Sequence, residues 1–217
     1  MQVASPTPRP YLTAYPREYS VSRPDISPFL IHFTKGENDD DAFKVLRAIL
    51  SEQRLLGGLG EARGANRCVC FTEAPLKALA GRLVNHHGYT RYSPFGVMIS
   101  KTNIYAQGGR PVIYGDSDEY DKLPPELQWR HVRYEPSAAC PVDFTWEREW
   151  RIPVAELRLD PQFARVVVPN AAAAERLHAE HMDEQDTLVQ MYSQIMEEDV
   201  AEQYREEYPW RIVILDS

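Results

Sequence analysis

Seven short runs constrain this chain most. They are "PFLIHFTK" (28–35), "RCVCFTE" (67–73), "GVMIS" (96–100), "RPVIYGD" (110–116), "FTWEREWRIP" (144–153), "ARVVVPN" (164–170) and "WRIVILD" (210–216). Each is short and rich in β-branched, apolar or aromatic residues, the pattern of strands. Helical periodicity falls elsewhere. "AFKVLRAILSEQRLL" (42–56) repeats Ala42, Val45, Leu46, Ile49 and Leu50 along one helix face. "APLKALAGRLVNHH" (74–87) places Pro75 in a first turn. Asn170 can cap a helix over "AAAAERLHAEH" (171–181), and another helix is expected at about 185–207. Residues 117–140 are polar and proline-bearing, with a short helix around 124–131. Strands outnumber helices, and the helices sit early and late rather than in alternation. This predicts an α+β fold, not a doubly wound one.

The chain of 217 residues suits one domain with extensions. Residues 1–28 carry Pro6, Pro8, Pro10, Pro16, Pro24 and Pro28 and read as an extended lead-in. Residues 29–170 read as the main α+β domain, and 171–217 as an acidic helical extension ending in a strand. No stretch of about 18 apolar residues is present to span a membrane. The N-terminus lacks the basic start and apolar run of a secretory signal. Cys68, Cys70 and Cys140 form neither CxxC nor a disulfide framework, so a reducing cytoplasm is the expected location. The net charge of −8 argues against a general nucleic-acid footprint. The acid is concentrated near the C-terminus, and Arg63, Arg67, Arg82, Arg91, Lys101 and Arg110 leave room for a local cationic cleft.

"FTWEREWRIP" carries the chemistry-bearing pattern. As a strand it alternates: Trp146, Arg148, Trp150 and Ile152 on one face, Glu147, Glu149 and Arg151 on the other. The two glutamates then project together, with Cα atoms roughly 7 Å apart. They can be ion-paired surface groups. They can also divide labour, one carboxylate supporting a cationic sugar and the other accepting a proton from a nucleophile. The same electrostatics suit cleavage of the nicotinamide–ribose bond of NAD.

E-x-E on a late strand resembles the signature of ADP-ribosyltransferases. "IHFT" (31–34) and "CFTE" (70–73) are similar to the first and middle strand elements of that superfamily. The order of motifs over about residues 29–170 also resembles abortive-infection proteins of the AbiGi type and DarT-like toxins that ADP-ribosylate DNA. The resemblance implies a split, strongly bent antiparallel sheet with NAD, as substrate, in the cleft between its halves. It implies that Glu149 holds the nicotinamide ribose and Glu147 serves the acceptor. His32, assisted by Thr34, would position the cofactor, Phe71 and Thr72 would lie beside the nicotinamide, and Arg67 or Arg63 would hold phosphate. His32 and Glu149 should then face one cleft. The superfamily's tyrosine is Phe71 here, and E-x-E is not typical of DarT. The biological role implied is a bacterial toxin or phage-defence effector, possible partner of an antitoxin, with the ADP-ribose acceptor (protein or nucleic acid) open and no metal required.

Other residues carry bland and functional readings together. Tyr114 in "PVIYGD" can line the cofactor pocket, where it would join the cofactor-binding residues, or serve structure, and Lys101 can meet a pyrophosphate or solvent. His86 and His87 are adjacent and cannot form an i,i+4 metal pair, whereas His178 and His181 are spaced i,i+3 on a helix. "GGLGEARGAN" lacks the lysine of a phosphate-binding loop, and no GxSxG is present. Two rival functions stay open: a metal-dependent nuclease or hydrolase using Glu147, Glu149 and histidines, and a non-catalytic antitoxin-like module binding through its acidic C-terminal helices.

Overall fold

The computed structural model describes residues 25–59, 66–75 and 92–215. Strand β1 (Phe29–Phe33) opens the fold. Asn38 then caps helix α1 (Asp39–Glu52), its side chain accepting from the Asp41 N–H. A cap of this kind stabilises by about 1 kcal/mol. The expected helix end at Leu56 is corrected. Gln53 turns left-handed, with φ of 50°, and Arg54–Leu56 form strand β2 instead. Leu55 is fully buried from that strand. Three residues are too few for a helical and a strand period to differ, so the apolar pattern alone could not separate them.

The remaining elements are β3 (Val69–Thr72), β4 (Gly96–Ser100), α2 (Lys101–Ala106), β5 (Arg110–Pro111), β6 (Ile113–Gly115), β7 (His131–Arg133), β8 (Glu149–Ile152), β9 (Glu156–Arg158), β10 (Ala164–Val168), α3 (Ala171–Tyr192), α4 (Glu198–Ala201) and β11 (Arg211–Ile214). The run 110–116 is broken at Val112, whose N–H bonds to the Glu149 carbonyl at 3.0 Å. Residues 124–131 form a 3₁₀ segment, Pro125–Arg130, rather than an α-helix. The two helices expected at 171–181 and 185–207 are one long α3 followed by the short α4. The helix expected at 74–87 lies almost wholly outside the described residues.

The principal sheet has seven strands in the order β11-β10-β4-β1-β3-β8-β5. Two smaller pairs, β2-β9 and β6-β7, flank it. Pairing within the main sheet is uneven. β1 meets β4 through five residue pairs and β3 meets β8 through four, but β1 and β3 share one register pair, Ile31 with Thr72. Two well-paired halves therefore meet at a narrow seam. The sheet is mixed, not wholly antiparallel: β10 and β11 run parallel at its edge. The long α3 supplies the crossover that a parallel pair requires.

Alternation along the strands sorts two cores. Leu30, Val97, Phe71, Trp150, Ile152 and Val166 pack with Phe43 and Leu46 of α1 and Leu177 of α3. Ile31, Phe33, Met98, Val167 and Leu215 form a smaller cluster on the other face. Fully burying one such large side chain contributes about 1.5–3 kcal/mol. Trp210 joins the larger cluster and β11 joins the main sheet, so residues 171–215 share the body formed by 29–170. Gly96 permits the close approach of β4 to β1, since a Cβ there would lie 2.4 Å from the His32 carbonyl oxygen. Among the described residues, no helix is long and apolar enough to cross a membrane.

Candidate functional site

The E-x-E segment is not one continuous strand. Thr145–Glu147 is a 3₁₀ turn, Arg148 is left-handed with φ of 45°, and β8 starts only at Glu149. A left-handed conformation is strained for a residue with a side chain. Beyond it the expected alternation holds: Trp150 and Ile152 enter the larger core, while Glu149 and Arg151 emerge on the opposite face. Glu147 reaches the vicinity of Glu149 through the turn, not through strand alternation. This corrects the expected strand over 144–153.

Glu149 is 9% exposed, and Arg151 takes both its carboxylate oxygens. The Nε bond is 2.7 Å and the Nη2 bond 3.3 Å. Arg151 Nη1 also donates to the carbonyls of Trp129 and His131, each at 3.1 Å. These bonds satisfy a guanidinium that is itself buried, as a buried charge requires. Glu147 is half-buried and accepts a 3.3 Å bond from the Tyr92 hydroxyl. Burial, then the charge of Glu149, pushes the Glu147 carboxyl up to about 7, against smaller opposing effects of Tyr92, Lys35 and Arg151. Lys35 Nζ sits 5.2 Å from the centre of the Tyr92 ring. Burial and then Glu149 push the Cys70 thiol up to about 12, so it is a poor nucleophile. The outcome is a carboxyl able to exchange a proton near neutral pH beside an ion-paired carboxylate.

The other expected site residues divide. Strand pairing sets Glu149 opposite Thr72 and Thr72 opposite Ile31, in one row across the sheet. His32 pairs with Val97 in the adjacent row, which emerges on the other face with Phe71 and Trp150. His32 and Glu149 therefore do not face one cleft. The His32 ring packs edge-on to Phe71, with centroids 6.0 Å apart, and its Nδ1 bonds to the Cys70 carbonyl at 2.8 Å across the seam. Burial holds the imidazole below its ordinary range. Thr34 is buried, and its hydroxyl donates to the Phe95 carbonyl. Phe71 belongs to the larger core. The Thr72 hydroxyl donates to the Glu147 carbonyl at 2.5 Å and accepts from the Ala74 N–H at 3.0 Å. The Tyr114 hydroxyl accepts from the Glu149 N–H and donates to the Phe144 carbonyl, both at 3.2 Å. Arg67 is exposed just before β3, and Arg63 lies outside the described residues.

Sequence reasoning missed Tyr92 as the partner of Glu147. The two are 55 positions apart, and no local pattern links them. It also missed that Lys101 is held by Glu73 at 2.6 Å, with Trp150 Nε1 donating to the second Glu73 oxygen at 2.7 Å. An open cavity of about 490 Å³ lies beside Tyr114, lined also by Asp116, Glu119, Tyr134 and Glu135. Among the described residues, no group of three or more His, Cys, Asp and Glu side chains is arranged to hold a metal ion. His178 and His181 instead pack against Tyr208, and His181 bonds to the Glu206 carbonyl. No family model, curated protein or solved structure matches this chain.

Proposed function

We propose that this protein is an NAD-dependent ADP-ribosyltransferase working from the Glu147–Glu149 face of the sheet. The observation that carries the reading is Glu147: a half-buried carboxyl, raised to about 7, beside a second carboxylate. In the proposed step the nicotinamide–ribose C–N bond breaks, and its electron pair leaves with nicotinamide. Positive charge develops on the ribose, and Glu149 stabilises it. The acceptor nucleophile forms the new bond to the ribose and gives its proton to deprotonated Glu147. A carboxylate has about four lone-pair sites, so Glu149 can accept a ribose hydroxyl while Arg151 anchors it. A role as a toxin or phage-defence effector, restrained by an antitoxin, rests on the superfamily resemblance. His32 and Glu149 stand on opposite faces, which counts against the reading as the resemblance framed it; it then rests on Glu147 and Glu149, with His32, Thr34 and Phe71 outside the site.

One observation favours a second reading. Both Glu149 oxygens and all three Arg151 nitrogens are bonded within the protein, as in a structural knot. A non-catalytic binding module would need nothing more of them. The two readings separate on incubation with labelled NAD and mixed cell extract. The transferase reading expects label on an acceptor with wild type and its loss in Glu149→Gln. No nicotinamide release and no labelled acceptor from folded wild-type protein would sink it.

A further inference from the structure

The turn that brings Glu147 to Glu149 is strained at Arg148, yet it is held at several points. Its own backbone supplies bonds from the Glu147 and Arg148 N–H groups to the Phe144 and Thr145 carbonyls. The Glu73 N–H donates to the Arg148 carbonyl and Arg148 Nη1 to the Asp25 carbonyl, and two side-chain hydroxyls from other strands add to these. Tyr114, on β6, spans both ends of the segment, touching the Phe144 carbonyl and the Glu149 N–H. Thr72, on β3, holds the middle through the Glu147 carbonyl. Each hydroxyl uses its one proton and an acceptor site on backbone. Neither therefore has a donor left for a cofactor.

We infer that Tyr114 and Thr72 are positioning residues, whose hydroxyls clamp the 144–149 turn and so keep the Glu147 carboxyl against Glu149 and Tyr92. The inference deepens the transferase reading, and its catalytic relevance rests on that reading. The charged and titratable groups around Glu147 include Glu149, Tyr92, Lys35, Arg151 and Tyr114. With the clamp released, Glu147 gains water and moves from Glu149, so both dominant upward influences weaken. Lost contact with Tyr92 and Lys35 acts the other way but is the smaller effect.

The test is the Glu147 carboxyl titration followed by carbon-detected NMR, without NAD. Wild type should titrate near 7, and Tyr114→Phe should lower the midpoint by about one unit or more, towards an ordinary glutamate. Thr72→Val should lower it too, while Thr72→Ser, which keeps the hydroxyl, should not. Thr72→Val and Thr72→Ser decide the matter if Tyr114→Phe fails to fold. Midpoints in Tyr114→Phe and Thr72→Val within a few tenths of wild type would overturn the inference. The readout is independent of turnover. A shifted midpoint with no NAD cleavage by wild type would uphold the clamp and remove the transferase reading.

Discussion

Two faces of the same three strands behave in opposite ways. On one, His32, Phe71 and Trp150 stand in adjacent positions among core residues, and the one titratable ring among them is kept neutral by burial. On the other, Thr72, Cys70, Glu149 and Arg151 stand in register, with Glu147 folded over them by a strained turn. Motif residues close in sequence pattern are thus split by strand alternation into a packing row and a polar row. A motif on strands has functional meaning only for the members that share a face.

The largest effect should come from breaking the polar row at its anchor. Arg151→Met removes both hydrogen bonds that the Arg151 guanidinium donates to the Glu149 carboxylate and leaves a buried charge uncompensated. The expected loss is about 3–5 kcal/mol, read by denaturant unfolding at neutral pH. A loss below about 1 kcal/mol would mean that the pair is solvated and the row is not an electrostatic unit.

Next is the pH dependence that Glu147 imposes. Its folded pKa is raised, so the folded state favours the protonated form. Below about pH 4.5, the unfolded value, the group carries no penalty. Stability is then lost as pH rises towards about 7, by on the order of 3 kcal/mol in total. Glu147→Gln should abolish that loss and be the more stable protein at pH 8. Identical pH–stability curves for the two proteins would show that Glu147 is an ordinary surface acid.

The smallest effect sharpens the contrast from the packing side. His32→Leu removes one bond to the Cys70 carbonyl and should cost about 1–3 kcal/mol. It should leave the Glu147 titration unchanged, because His32 stands on the other face. A midpoint displaced by a full unit would join the two faces after all.

Much of the fold was legible because apolar runs mark strands directly. All seven expected runs contain strand residues, and Asn170 caps its helix through its side chain as expected. The opposition of Trp150 and Ile152 to Glu149 and Arg151 was also legible, since a two-residue period decides it. The turn at 145–148 was not. Nothing in "TWER" announces a left-handed arginine, which hydrogen bonds from Tyr114 and Thr72, distant in sequence, help to hold. The facing of His32 depends on its pairing with Val97, a tertiary fact. The split between β5 and β6 and the strand β2 arise from pairing partners far along the chain.

The pH–rate profile of nicotinamide release from NAD, measured with mixed cell extract as acceptor source, tests the central claim most directly. Wild-type release should rise through about pH 7 as Glu147 loses its proton, and Glu147→Gln should be slower by at least about 100-fold above that pH, the gap closing as pH falls. Folded wild-type protein that releases no nicotinamide at any pH, or a Glu147→Gln profile that overlays the wild type, would contradict it.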